Sequence, residues 1–150
     1  MYPQSYPYGC WLAAGHSMVR HRVGGLIQLT YPIGHLDNLL TYHDSWMGPH
    51  GGLEMSGEIL REFASQNGFG YQQIGSSLTP IIEKIVDGPV MVAGLITGVG
   101  IHFFVIHSVN GDVVKYKDPM PVMAGSAGTT TFQEFKALHP GAFQHMFWNK

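Results

Sequence analysis

A single cysteine, Cys10, occurs in 150 residues, which excludes any internal disulfide. Charge is scarce: Asp, Glu, Lys and Arg make up 12% of the chain, about half of the usual ~25%. Lys and Arg together number only 8 and the net charge is -2, so the broad basic surface that a phosphate backbone requires is missing and nucleic acid is not an expected partner. No run approaches the ~18 apolar residues of a membrane-spanning helix, and Met1-Tyr2-Pro3-Gln4 lacks the basic-then-apolar pattern of a Sec signal. Neither a membrane partner nor a Sec route is expected. Repeats, low-complexity tracts and a Pro/Ser/Gly linker are also missing, so the spacing of apolar residues reads as one domain over 1–150. A chain of this length buries roughly 68–70% of its unfolded surface, enough to need no stabilising metal.

What is plentiful is glycine (20), methionine (8) and aromatic residues (12%). A surface so poor in charge is expected to meet another protein. The methionines suit irregular gaps in a core.

Helical spacing runs from Cys10 to about Arg22, with Leu12, Ala13, Ala14, Met18 and Val19 as its apolar positions and Gly24-Gly25 as a stop. From Tyr31 to Gly52 the chain reads as an irregular connection with at most one short helix near Leu36–Leu40. A second helix is expected from about Met55 to Gln66, closed by Asn67-Gly68. A third spans Ile81–Val86, with Thr79 as N-cap and Pro80 as its first residue. After Gly88 the texture changes. Pro89–Leu95, Ile101–Val109 and Val113–Lys117 are β-branched and aromatic runs, the last two joined by the hairpin signal Asn110-Gly111. Thr131 and Glu134 form a capping box for a helix through Leu138, and Ala142–Trp148 could add a final strand. Helices first and antiparallel strands later give an α+β fold class.

The sequence position of Cys10 places its thiol in the first turn of a helix, where unpaired amides favour a thiolate. A lone cysteine is also an ordinary small core residue. Gly9 allows close approach, Trp11 offers a shielding ring, and Gln4 carries an amide that could donate to an oxyanion. Nine histidines compete as its base. Alternation places His102 and His107 on opposite faces of one strand, and His102, after Gly98-Val99-Gly100, stands at the rim. Asp118 in Lys117-Asp118-Pro119 reaches the His102 face only if the hairpin carries one extra residue. A three-residue turn Asn110-Gly111-Asp112 with a bulge supplies it and pairs Phe104 with Asp118. A turn-forming Asp-Pro is the other reading of the same dipeptide. His35, Asp37, His43, Asp44 and His50 have gaps that match no regular zinc spacing, so neither a metal nor any other cofactor is expected.

The segment Gln4 to Gly9 followed by Cys10-Trp11-Leu12-Ala13-Ala14 resembles the glutamine and Cys-Trp-x-Ala-Ala opening of papain-like cysteine peptidases. Gly88-Pro89, His102-Phe103-Phe104-Val105-Ile106, Asn110-Gly111-Asp112, Asp118-Pro119 and Phe132 to Phe135 are similar to later elements of that family. The best match is to bacterial effector peptidases of the AvrRpt-type branch, with the bacteriocin-processing double-glycine peptidases as relatives. The resemblance implies a papain-like fold, with a helical half carrying the cysteine and a sheet half carrying His and Asp. It implies Cys10 as nucleophile, His102 as general base and then acid, Asp118 as orienter, and Gln4 with the Cys10 amide as oxyanion hole. Leu12 and His107 depart from the small residues usual there. A glycine-rich protein substrate, held in a slot walled by Trp11, Trp46 or Phe104, is the analogous expectation. An effector or toxin secreted without a Sec signal, acting in a recipient cell's cytoplasm and restrained by an inhibitor or immunity protein, completes it. No propeptide precedes Gln4 as read, so control is expected from elsewhere or from a longer protein. The same triad could instead serve a glutamine deamidase, a transglutaminase or an amidase, or persist in a silent binding module.

Overall fold

The computed structural model describes residues 10–22, 40–41, 43–46, 53, 55–97, 100–119 and 126–150. Its helices are α1 (Cys10–Arg22), α2 (Gly57–Gln66), α3 (Thr79–Ile85) and α4 (Phe132–Leu138). Its strands are β1 (Phe69–Gln73), β2 (Val90–Ile96), β3 (Gly100–Asn110), β4 (Val113–Asp118), β5 (Ser126–Thr131) and β6 (His145–Asn149), with a 3₁₀ turn at Asp44–Trp46. The strands form one sheet in the order β1-β6-β2-β3-β4-β5, and every neighbouring pair is antiparallel. The last strand thus fills the gap between β1 and β2.

Both faces of the sheet are covered, so its central strands are apolar on both sides. One cluster gathers Trp11, Met18 and Val19 of α1, Leu60 and Phe63 of α2, and Met91, Phe103, Val105 and Phe147 from the sheet. The other gathers Ile81 of α3 and Phe132 of α4 with Val90, Val92, Phe104, Ile106 and Met146. Adjacent residues such as Phe103 and Phe104 therefore serve different cores, as period-two alternation dictates.

Helix α1 is enclosed on all sides: Cys10 through Val19 are buried without exception. A helix apolar all round belongs in an interior. Its small residues let neighbours come close; a Cβ on Gly15 would lie 3.0 Å from the methyls of Leu40. Helix α2 opens where the Ser56 hydroxyl accepts the Ile59 amide at 3.2 Å. It closes on buried Asn67, whose amide nitrogen donates to the carbonyls of Phe63 (2.9 Å) and Thr41 (2.8 Å) while its oxygen accepts the Thr41 amide. In α4 the Thr131 hydroxyl accepts the Glu134 amide at 3.1 Å.

Several sequence expectations shift. Leu78, in αR geometry, and not Thr79, occupies the N-cap of α3 and offers no side-chain bond there. Strands β1 and β5 carry no strong apolar alternation and were not expected. The short helix read near Leu36–Leu40 falls largely outside the described residues. The largest difference concerns the β3–β4 hairpin. Its loop is a strict two-residue Gly111-Asp112 turn, since Asn110 pairs with Val113, and Gly111 takes φ 61. The extra residue sits instead in the strand, where the register shifts between Ile106 and Ser108 and leaves His107 as a bulge. Beyond it Ile106 faces Tyr116 and Val105 faces Lys117. Continued by one step, that register sets Phe104 opposite Asp118.

Candidate active site

Three elements end at one place. Cys10 is the first residue of α1, Asp118 is the last of β4, and His102 lies near the start of β3. Because β4 stops at Asp118, the first residues of β3 overhang it and pair on that side with no described strand. Phe103 and Val105 enter the core beneath α1, whereas His102 alternates to the other face with Phe104. The bulge at His107 puts Asp118 on that same face, diagonal to His102.

His102 Nε2 stands 2.5 Å from Asp118 Oδ1. A carboxylate only accepts, so Nε2 donates and carries the proton. The Cys10 side chain lies close enough to the same imidazole to raise its proton affinity, and Nδ1 is the ring nitrogen left to face it. His102 is 3% exposed and Cys10 5%, while the Asp118 side chain is 26% exposed. Burial alone would push the imidazole pKa down. The hydrogen bond to Asp118, the neighbouring Cys10 side chain and the charges of both outweigh it and raise it from 6.5 to about 9. The ring is therefore an imidazolium at neutral pH, a proton donor set beside the sulfur at the start of α1.

The other expected residues fare differently. Gln4 lies outside the described residues. Trp11, Trp46 and Phe104 are 0%, 2% and 2% exposed, which corrects their expected place along an open slot. Trp11 and Trp46 pack edge-on against Phe63, and Trp46 donates its indole N–H to Glu62 at 2.9 Å. Phe104 packs among Tyr116, Phe135 and Phe143. Of the histidines in the irregular segment, His43 is described; its Nε2 meets Gln66 Oε1 at 2.7 Å and its ring abuts Trp46. Among the described residues no group of three or more His, Cys, Asp or Glu side chains gathers as a metal site would require.

One neighbour of the imidazole was missed. Gly94 pairs directly with His102, and a Cβ there would lie 2.3 Å from the carbonyl oxygens of Gly141 and Ala142. The backbone of that loop crosses the sheet at this point, held by Leu95 N–H to Gly141 O (2.8 Å) and Gln144 N–H to Ala93 O (3.1 Å). The signal was available: an isolated glycine inside an apolar strand marks a close backbone approach.

No family model matches this sequence, and no curated protein matches it either. Among solved structures the chain is similar to the peptidase domain of Streptococcus ComA, a bifunctional ABC transporter involved in a quorum-sensing pathway. The TM-score is 0.60, and the match covers 99% of this chain and 97% of that one. The fold is papain-like. Sequence identity is 17%, so the likeness carries the architecture expected from the sequence and does not single out the effector branch.

Proposed function

We propose that the chain is a cysteine peptidase in which Cys10 attacks, His102 moves the proton and Asp118 orients the ring. One observation carries this reading: the buried His102 imidazole is bonded to the Asp118 carboxylate at 2.5 Å and lies within electrostatic reach of the only thiol in the sequence. The thiolate adds to a peptide carbonyl, and the imidazolium gives its proton to the departing amine, leaving a thioester on Cys10. Water then attacks the thioester while His102 accepts its proton, and the acid leaves as the sulfur is restored. Asp118 holds the tautomer and stabilises the imidazolium in both half-reactions. Gln4 and the Cys10 amide are the proposed donors to the oxyanion.

A protein substrate cut at glycine-rich sites, delivery as an effector into a recipient cell, and an inhibitory partner belong to the same reading and rest on the sequence resemblance. The test compares wild-type and Cys10→Ala protein by mapping new protein termini after incubation with a complex substrate mixture. Loss of cleavage with an unchanged thermal transition is expected; cleavage retained in Cys10→Ala would falsify the reading. Conversion of a target glutamine to glutamate, without new termini, would replace peptidolysis by deamidation.

A further inference from the structure

The opposite end of α1 opens onto a cleft of about 470 Å³, where α1, the α3–β2 turn and the end of β6 meet. Twelve rises of 1.5 Å put it about 18 Å from Cys10 along the helix. Its walls hold Arg22, Lys84 and Lys150 against one acid, Asp87, with His21 and Trp148 beside them. Three of the molecule's 8 Lys and Arg residues therefore crowd one cleft in a chain of net charge -2.

Two of these cations are fixed in advance. Arg22 donates through Nη1 to the carbonyls of Asn67 (2.6 Å) and Gly68 (3.3 Å) and to Asn149 Oδ1 (3.4 Å). Its guanidinium also lies over Phe69, 5.7 Å from the ring centre. Nη1 is one of three guanidinium nitrogens, and the fork has donors beyond it. Lys84 Nζ sits 4.5 Å from the centre of the Trp148 ring. That ring lies against Gly70, where a Cβ would come within 2.1 Å of it. Trp148 is thus sandwiched between a glycine and an ammonium and acts as a seat for the charge.

We propose that this cleft binds a small multivalent anion, a phosphate- or carboxylate-bearing molecule bridging Lys84, Lys150 and the outer donors of Arg22. Three lines of argument support it. The volume falls in the ~300–1,000 Å³ range of small-ligand clefts. Charge of one sign is concentrated where the rest of the surface has little. Arg22 and Lys84 are positioned by packing, so a ligand need not order them. The site is independent of the catalytic reading.

Isothermal titration calorimetry of the whole protein at low salt, with inorganic pyrophosphate in one arm and citrate in the other, tests it. A change in tryptophan emission serves as a second readout, since Trp148 lines the cleft whereas Trp11 and Trp46 do not. Saturable binding of at least one anion is expected, with pyrophosphate or citrate preference naming the chemistry. Lys84→Gln and Lys150→Gln should each weaken it about tenfold or more, as loss of a charge-assisted hydrogen bond does. No saturable heat with either anion, or affinity unchanged in both variants, overturns the proposal.

Discussion

His102 sits directly across β2 and β3 from Gly94, and the side chain that Gly94 lacks is what lets the backbone of Gly141 and Ala142 run beside the imidazole's strand. Replacing Gly94 by Ala drives a methyl into two carbonyl oxygens. The neighbour that must yield is backbone, anchored by two hydrogen bonds, so relief is costly. Gly94→Ala should destabilise the fold by roughly 1–3 kcal/mol. Urea unfolding measures this, and an unchanged midpoint would show that the loop moves freely.

Asp118→Asn keeps a hydrogen-bonding side chain of the same shape and removes its charge. The His102 pKa, raised to about 9, should fall back toward 6.5, which ring-proton NMR can follow. Turnover should drop on the order of 10²-fold or more, since the imidazolium loses its stabilising partner. Titration unaltered by the substitution would assign the raised pKa to Cys10 alone.

Two buried histidines set opposing pH slopes. His102 has a folded-state pKa above its unfolded value, so its contribution is full below pH 6.5 and is lost as pH rises through about 9. His16, 5% exposed in α1, is lowered by burial to about 4. Its contribution is full above pH 6.5 and is lost as pH falls toward 4. Each is on the order of 1–3 kcal/mol. Stability should therefore peak near pH 6.5 in unfolding titrations, with Asp118→Asn flattening the alkaline limb and His16→Leu the acid limb. A maximum displaced well to either side would mean that other groups dominate.

The elements that carry Cys10, His102 and Asp118 were legible in the sequence because each element has a strong local signal. Small residues at helical spacing start at Cys10 and run to Arg22, as observed. Dense β-branched and aromatic runs mark β2, β3 and β4. The Phe104–Asp118 register was legible too, since it alone puts the acid on the His102 face. Where the extra residue sits was not. Asn110-Gly111 drew it into the turn, whereas the turn is tight and His107 takes it. A bulge has no sequence signature beyond tolerance of one unpaired residue. Strand β5, Ser-Ala-Gly-Thr-Thr-Thr, lacks large residues; its Gly128 accommodates the Tyr116 ring, which a Cβ would approach to 2.4 Å. Its place is assigned by that cross-strand ring and not by its own pattern. The burial of Trp11, Trp46 and Phe104 was hidden for a related reason, because an aromatic residue next to a reactive one looks the same in sequence whether it walls a slot or fills a core.

The enclosure of α1 has a further meaning for how the sulfur is held. A rod gripped from every direction has no slack side along which a local defect can be absorbed, so trimming Met18 or Phe63 would be felt at Cys10 as a change of aim. A screen for inactive variants should therefore return hits strung along this rod, far from the reacting atoms, with intact secondary structure and a thiol that is still present but mispointed.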